Sequence, residues 1–157
     1  MNKSVRTFNL PKHCAPWVAG VLLLAAGAAH AELGGNMASV QAEVQRLNGT
    51  MSTVSMPNYD VHEIQVNNHV VERQYVNHAG QVFGITWKSK GAADLQAILG
   101  AYYPKYQALG ARRIDLHHAA LTAPDLVVEV GSFLQTFMGR AYVPAQIPAG
   151  TAVSEIH

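Results

Sequence analysis

The sequence predicts an α+β domain: an antiparallel sheet of about five to six short strands with two helices packed on it, in the order α-β-β-β-α-β-β-β. Three observations point there. Apolar residues recur at spacings of three and four in only two stretches, 37–47 and 91–109. The segments between and after them are short runs of β-branched and aromatic residues, bounded by Asn, Gly and Pro. Those runs follow one another without a helix between each pair, which argues for antiparallel rather than parallel pairing.

Before the domain lies a segment of another kind. Residues 1–17 carry Lys3, Arg6 and Lys12 and no acid; an apolar run, 18–29, follows and closes on Ala29-His30-Ala31. A basic flank, a short apolar core and a small-x-small tripeptide are the three parts of a secretory signal peptide. The run is shorter than the roughly 20 residues a spanning helix needs. Residues 1–31 are thus expected to be a signal peptide and 32–157 a single domain, with an extended C-terminal tail from about residue 145. The only cysteine, Cys14, lies in the leader, so the expected product has no disulfide, thiolate metal site or cysteine nucleophile. Loss of Lys3, Arg6 and Lys12 leaves 8 basic against 10 acidic residues, a net charge of −2. Nothing in that balance suggests a nucleic-acid footprint, which would be a clustered basic face.

Met37, Val40, Val44 and Leu47 share one helical face; Ser39 or Asn36 can cap its start, and Asn48-Gly49 suits its end. Thr50 to Asn58, small and polar, reads as a loop. Three strands are expected at Tyr59–Val66, Val70–Val76 and Val82–Trp87. A three-residue loop Asn67–His69 sets Glu63 opposite Arg73, and so avoids opposing Glu63 to Glu72, where like charges repel. It also sets Val61 beside Tyr75. A loop His78-Ala79-Gly80, with Gly80 left-handed, then places Tyr75 by Phe83, Arg73 by Ile85 and Val71 by Trp87. One face gathers Val61, Val71, Tyr75, Phe83, Ile85 and Trp87; the other, with Asp60, His62, Glu72, Gln74 and Thr86, is expected to be wetter.

Leu95, Ile98, Leu99, Tyr102 and Tyr106 form the second apolar stripe. Pro104 removes a hydrogen bond and crowds the carbonyl of Gly100, so a helix at Ala92–Tyr103 is expected to end or kink there. Beyond it, Arg113–Ala119 alternates as a strand, with Ile114 and Leu116 opposite Arg113, Asp115 and His117. Thr122–Asp125 is a turn, Leu126–Val130 a strand, and Phe133–Val143 another after Gly131.

Several strings, taken together, resemble a known family. They are Leu33-Gly34-Gly35, Tyr59-x-Val61-His62-Glu63, Val71-Glu72-Arg73-Gln74-Tyr75-Val76, Gly80-x-Val82-Phe83-Gly84-Ile85-Thr86-Trp87, Asp94-Leu95, Leu99-Gly100-x-Tyr102 and Gly139-Arg140-Ala141-Tyr142-Val143-Pro144. The chain resembles the small exported proteobacterial proteins grouped as domain of unknown function 2844, over nearly all of residues 32–157. The resemblance implies a Gram-negative source and an envelope location. It supplies no activity, ligand or active site.

Candidate sites are few. His117 and His118 are adjacent and diverge on a regular strand, so they cannot share an ion there. Asp115 and His117 share a face and, with His62 or Glu129, form the candidate metal or acid–base set. Against that set stands a half-exposed strand face with no ligand. No nucleophile elbow, H-E-x-x-H, P-loop or dinucleotide fingerprint occurs. Candidate ligand-binding residues are Glu63 and Arg73, a charge pair on an apolar face, together with Tyr102 and Arg140; the plainer reading makes Tyr102 core and the charges a sheet margin. No cofactor is expected. The resulting expectation is an exported, non-catalytic cell-envelope protein, periplasmic or secreted, that binds or assembles with another envelope protein or a small ligand. It meets the membrane only transiently, through its leader. The competing expectation is a periplasmic enzyme or metal-binding protein using Asp115, His117 and His62.

Overall fold

The structure, a computed structural model, describes residues 32–67 and 70–157. The expected signal peptide lies outside the described residues, as do Asn68 and His69 of the first hairpin loop. The first helix, α1 (Met37–Arg46), starts where its capping residues put it. Asn36 Oδ1 accepts from the backbone N–H of Ala38 at 2.9 Å and Ser39 at 3.2 Å, and Ser39 Oγ accepts from Asn36 N–H in return. Asn48, at φ 49°, turns the chain out of the helix.

Four strands follow: β1 (Thr50–Ser55), β2 (Tyr59–Val66), β3 (Val70–Asn77) and β4 (Val82–Lys90). A broken helical segment comes next, α2 (Leu95–Leu99), one 3-10 turn (Gly100–Tyr102) and α3 (Tyr103–Leu109). The chain then forms β5 (Arg112–Arg113), β6 (His118–Ala123), β7 (Leu126–Phe133) and β8 (Thr136–Tyr142), and ends in a tail with two further 3-10 turns. The eight strands make one sheet, in the order β1-β2-β3-β4-β8-β7-β6-β5, and every neighbouring pair is antiparallel. Two four-strand meanders therefore meet along β4 and β8. The α+β class and the antiparallel sheet are as expected; the count of five to six strands is too low.

Each discrepancy has a local cause. Thr50–Asn58 is not all loop: its first six residues form β1, a wholly exposed edge strand with too little apolar content to register as a pattern. Arg113–Ala119 is not one strand. Asp115 Oδ1 accepts from the N–H groups of His117 at 2.7 Å and His118 at 2.9 Å, so its side chain takes donors that a ladder would use. Ile114 and Leu116 lie in the resulting connection and are exposed. Phe133–Val143 is not one strand either: it is the end of β7, a turn at Leu134-Gln135 with φ 45° and 63°, and then β8. Gly131 lies within β7. The helix breaks at Gly100 rather than at Pro104, which sits comfortably in the first turn of α3.

The first hairpin has the expected register, with Glu63 opposite Arg73 and Val61 opposite Tyr75. The second does not. Gly80 is left-handed at φ 79°, but a bulge between Tyr75 and Val76 sets Tyr75 opposite Gly84, Arg73 opposite Thr86 and Glu72 opposite Trp87. Two successive residues of β4, Phe83 and Gly84, now belong to the same face. Phe83 stays with Val61 and Tyr75, while Ile85 and Trp87 move to the other face.

That other face is the main core, not a wet surface. Leu33, Val40, Ile64, Ile85, Trp87, Ile98, Leu99 and Val128 pack between the helices and the sheet. His62, Glu72 and Gln74, expected to be wet, are buried under the helical layer, and Thr86 is buried on the opposite face. That opposite face carries a second cluster, Tyr59, Tyr75, Phe83, Val127 and Tyr142, capped by Ile156 from the tail. Leu99 is fully buried, Gln96 is exposed, and Leu95 and Tyr102 are half-buried. Leu99→Ala is expected to lower stability by about 2–5 kcal/mol. An unmoved urea midpoint would place Leu99 outside the core.

Candidate functional site

Antiparallel register aligns one row of side chains across the tail-bearing face. From β2 to β7 it reads Glu63, Arg73, Thr86, Arg140, Glu129. Two arginine–glutamate pairs therefore flank Thr86 with the arginines innermost. Arg73 Nε donates to Glu63 Oε2 at 2.8 Å. Arg140 grips Glu129 with two parallel bonds, Nε to Oε2 at 2.9 Å and Nη2 to Oε1 at 3.1 Å, and its guanidinium carbon lies 5.8 Å from the centre of the Tyr142 ring.

Each arginine also has a donor turned toward the tail. Arg73 Nη1 donates to the carbonyl of His157 at 3.1 Å, and Arg140 Nη1 to those of Ile156 at 3.3 Å and Val153 at 3.4 Å. Tyr75 Oη bonds both the carbonyl and the N–H of His157, at 2.6 and 3.0 Å. Tyr59 Oη donates to Glu155 Oε2 at 2.9 Å. Burial and that carboxylate push the Tyr59 phenol up to about 12, so it remains a donor. The tail is thus held by main-chain recognition, with Ile156 as its apolar plug.

Beyond the tail the same face opens into a groove of about 1210 Å³. Ile156 and His157 form one wall; Thr86, Arg140, Ala120 and Gly131 are among its other lining residues. The loop carrying Asp115 and His118 borders it too. Asp115 is held below the usual carboxylate range, first by the N–H of His117 and then by the His118 ring, whose Nδ1 lies 2.9 Å from its Oδ2.

Of the residues expected to bind ligand, Glu63, Arg73 and Arg140 share this face. Tyr102 does not: it belongs to the helical layer on the opposite face, where a side chain at Gly34 would stand 3.2 Å from its ring. The candidate metal residues are also dispersed. His62 is buried under the helices, with Nδ1 2.8 Å from Thr53 Oγ1, while Asp115 and His117 are exposed in the β5–β6 connection. Asp115 engages the ring of His118, not that of His117. Among the described residues no three His, Cys, Asp or Glu side chains are placed to hold a metal ion.

The Glu129–Arg140 pair was not legible in the sequence. Their pairing follows from a two-residue turn at Leu134-Gln135, residues that carry no turn signal. Buried Glu72 is a second surprise. Gln74 Nε2 donates to its Oε1 at 2.7 Å, and burial pushes its carboxyl up to about 7.

The model of a family described as Protein of unknown function (DUF2844) matches residues 29–156, and the chain belongs to that family. No curated protein and no solved structure matches the chain.

Proposed function

We propose that this member of the DUF2844 family is exported to the cell envelope and works there, without catalysis, as a binding module whose ligand lies in the groove beyond the tail. One observation carries the reading: Arg73 and Arg140, on either side of Thr86, already hold main-chain oxygens of the tail, in and just after its last 3-10 turn. A site that grips one stretch of backbone by its oxygens suits a second, so the favoured ligand is an acceptor-bearing segment of another envelope protein. Glu129, in the groove, and Glu63, beside the groove in the same row, are each bound to a guanidinium. Export rests on the three-part N-terminal segment, and the family match begins only at residue 29, inside the small-x-small tripeptide.

One experiment tests both parts. Protein recovered from the periplasm should have an intact mass that begins at Glu32. Immobilised, it should retain a discrete partner from envelope extracts, and Ala120→Lys, which projects a long cation into the groove, should lose that partner while melting at the same temperature. A mass that includes residues 18–29 overturns export with cleavage. A partner retained equally by Ala120→Lys overturns the groove.

A further inference from the structure

One end of the sheet departs from the rest in its surface chemistry. It is built from the β7–β8 turn, the end of β4 and the β5–β6 connection. Leu134, at the tip, is 82% exposed, and its neighbours Phe133 and Phe137 are exposed as well. Ile114 and Leu116 of the adjoining loop add two more exposed aliphatics, and that loop is tied to β7 by the bond from Ser132 N–H to the carbonyl of His117 at 2.9 Å.

Folding alone gives no reason for this composition. A two-residue turn with both φ positive is met most cheaply by Asn-Gly, and a bulky residue there is strained. Leu134 accepts that strain at φ 45° while touching little of its own domain. Exposed apolar clusters of this kind mark contact surfaces.

The charges beside the tip indicate the partner. Lys88 and Lys90 lie opposite Met138 and Thr136 on β8, and both are exposed. Arg112 and Arg113 begin the β5–β6 side. The one acid in segments 88–91, 112–117 and 131–138 is Asp115, and it is engaged by His117 and His118. An apolar tip ringed by cations matches the interface of a bilayer with anionic headgroups, where apolar side chains enter the headgroup–acyl boundary and lysines meet phosphate. Among the described residues no helix is long and apolar enough to cross a membrane, so this contact would be peripheral.

We infer that the β7–β8 tip docks the domain on an anionic lipid surface, with Phe133, Leu134 and Phe137 entering the interface and Lys88 and Lys90 contacting headgroups. This surface adjoins the groove, whose lining includes Lys88, Ile114 and Phe133, and it goes beyond the transient contact expected of the leader.

The test must separate the tip from residues 18–29, an apolar run with an expected lipid affinity of its own. In the full chain with Cys14→Ser, an environment-sensitive fluorophore is placed on Gln135→Cys or, as a control on the far edge strand, on Ser52→Cys. On vesicles of phosphatidylglycerol and phosphatidylcholine, the label at 135 should shift to the blue and be quenched by brominated acyl chains, while the label at 52 should not. Pure phosphatidylcholine should give a smaller shift. Leu134→Asn should at least halve the shift while leaving the melting temperature unchanged or raised, since Asn tolerates the left-handed conformation. Lys88→Glu with Lys90→Glu should reduce it only on anionic vesicles. The inference is overturned by an equal shift at both labels, by no shift at 135, or by a shift indifferent to Leu134→Asn. A shift that appears without vesicles and grows with protein concentration also overturns it, assigning the tip to a second copy of the chain.

Discussion

Phe83→Ala is expected to destabilise the domain by about 3–5 kcal/mol, the cost of truncating a large, fully buried aromatic side chain. Phe83 is at the bulge of β4 and is 0% exposed. Its ring meets Tyr59 edge-on at 5.6 Å and Tyr75 at 6.2 Å, contacts that add to simple burial. The loss should also have a second, local signature. Ile156 packs in the same cluster, and Tyr59 and Tyr75 hold Glu155 and His157 through their hydroxyls. Removing the ring between them should loosen the tail before the sheet melts. Urea denaturation measures the first effect, and amide hydrogen exchange at Ile156 and His157 measures the second. A midpoint change worth under about 1 kcal/mol, below the range for such truncations, or tail amides as protected as in the parent, would contradict this packing.

Glu72→Gln is expected to stabilise the protein at pH 8 by as much as about 3 kcal/mol and to leave it nearly unchanged at pH 4, on the scale of 1.36 kcal/mol per pH unit. The sign follows from burial. The carboxyl of Glu72 is raised from 4.5 to about 7, chiefly because burial penalises its charge; Glu43 raises it further, while the Gln74 bond and Arg46 oppose the rise. Between those two values the folded protein holds a proton that the unfolded chain releases. Stability is then fully present below pH 4.5 and declines as pH climbs to about 7. Gln keeps the size and the acceptor for Gln74 without carrying a charge. His62 acts in the opposite direction: burial lowers it, Asp60 partly offsets that, and its contribution declines as pH falls below 6.5. His62 is present in both proteins, so the difference between their melting temperatures from pH 4 to 8 isolates Glu72. At roughly 4 °C per kcal/mol for a domain of this size, the curves should separate by several degrees above pH 7. Parallel curves would mean that Glu72 is solvated.

The two expectations mark the limits of sequence reading in this protein. The pairing of Glu63 with Arg73 was accessible because a hairpin register is simple arithmetic once the loop is known, and repulsion between Glu63 and Glu72 selected the loop. The same arithmetic failed one hairpin later, because a bulge gives no compositional signal. It failed again at β7–β8, where Leu134-Gln135 makes a turn that favoured turn residues would have announced. Half of the charged row was therefore visible, and the Arg140–Glu129 half was not.

The sequence alone determined what depends on neighbours along the chain: a polar cap at Asn36 or Ser39, the two apolar helical stripes, the Asn and Gly turns, the antiparallel class and the three-part N-terminal segment. Only the tertiary structure decided which face each strand residue occupies, that Glu129 meets Arg140, and that Glu72 and His62 are buried. The reason is physical. Alternation along a strand tells one face from the other but not what covers either, and here helices cover one side while the tail covers part of the second. The burial of a side chain, and with it the cost of its charge, is fixed by segments distant in sequence.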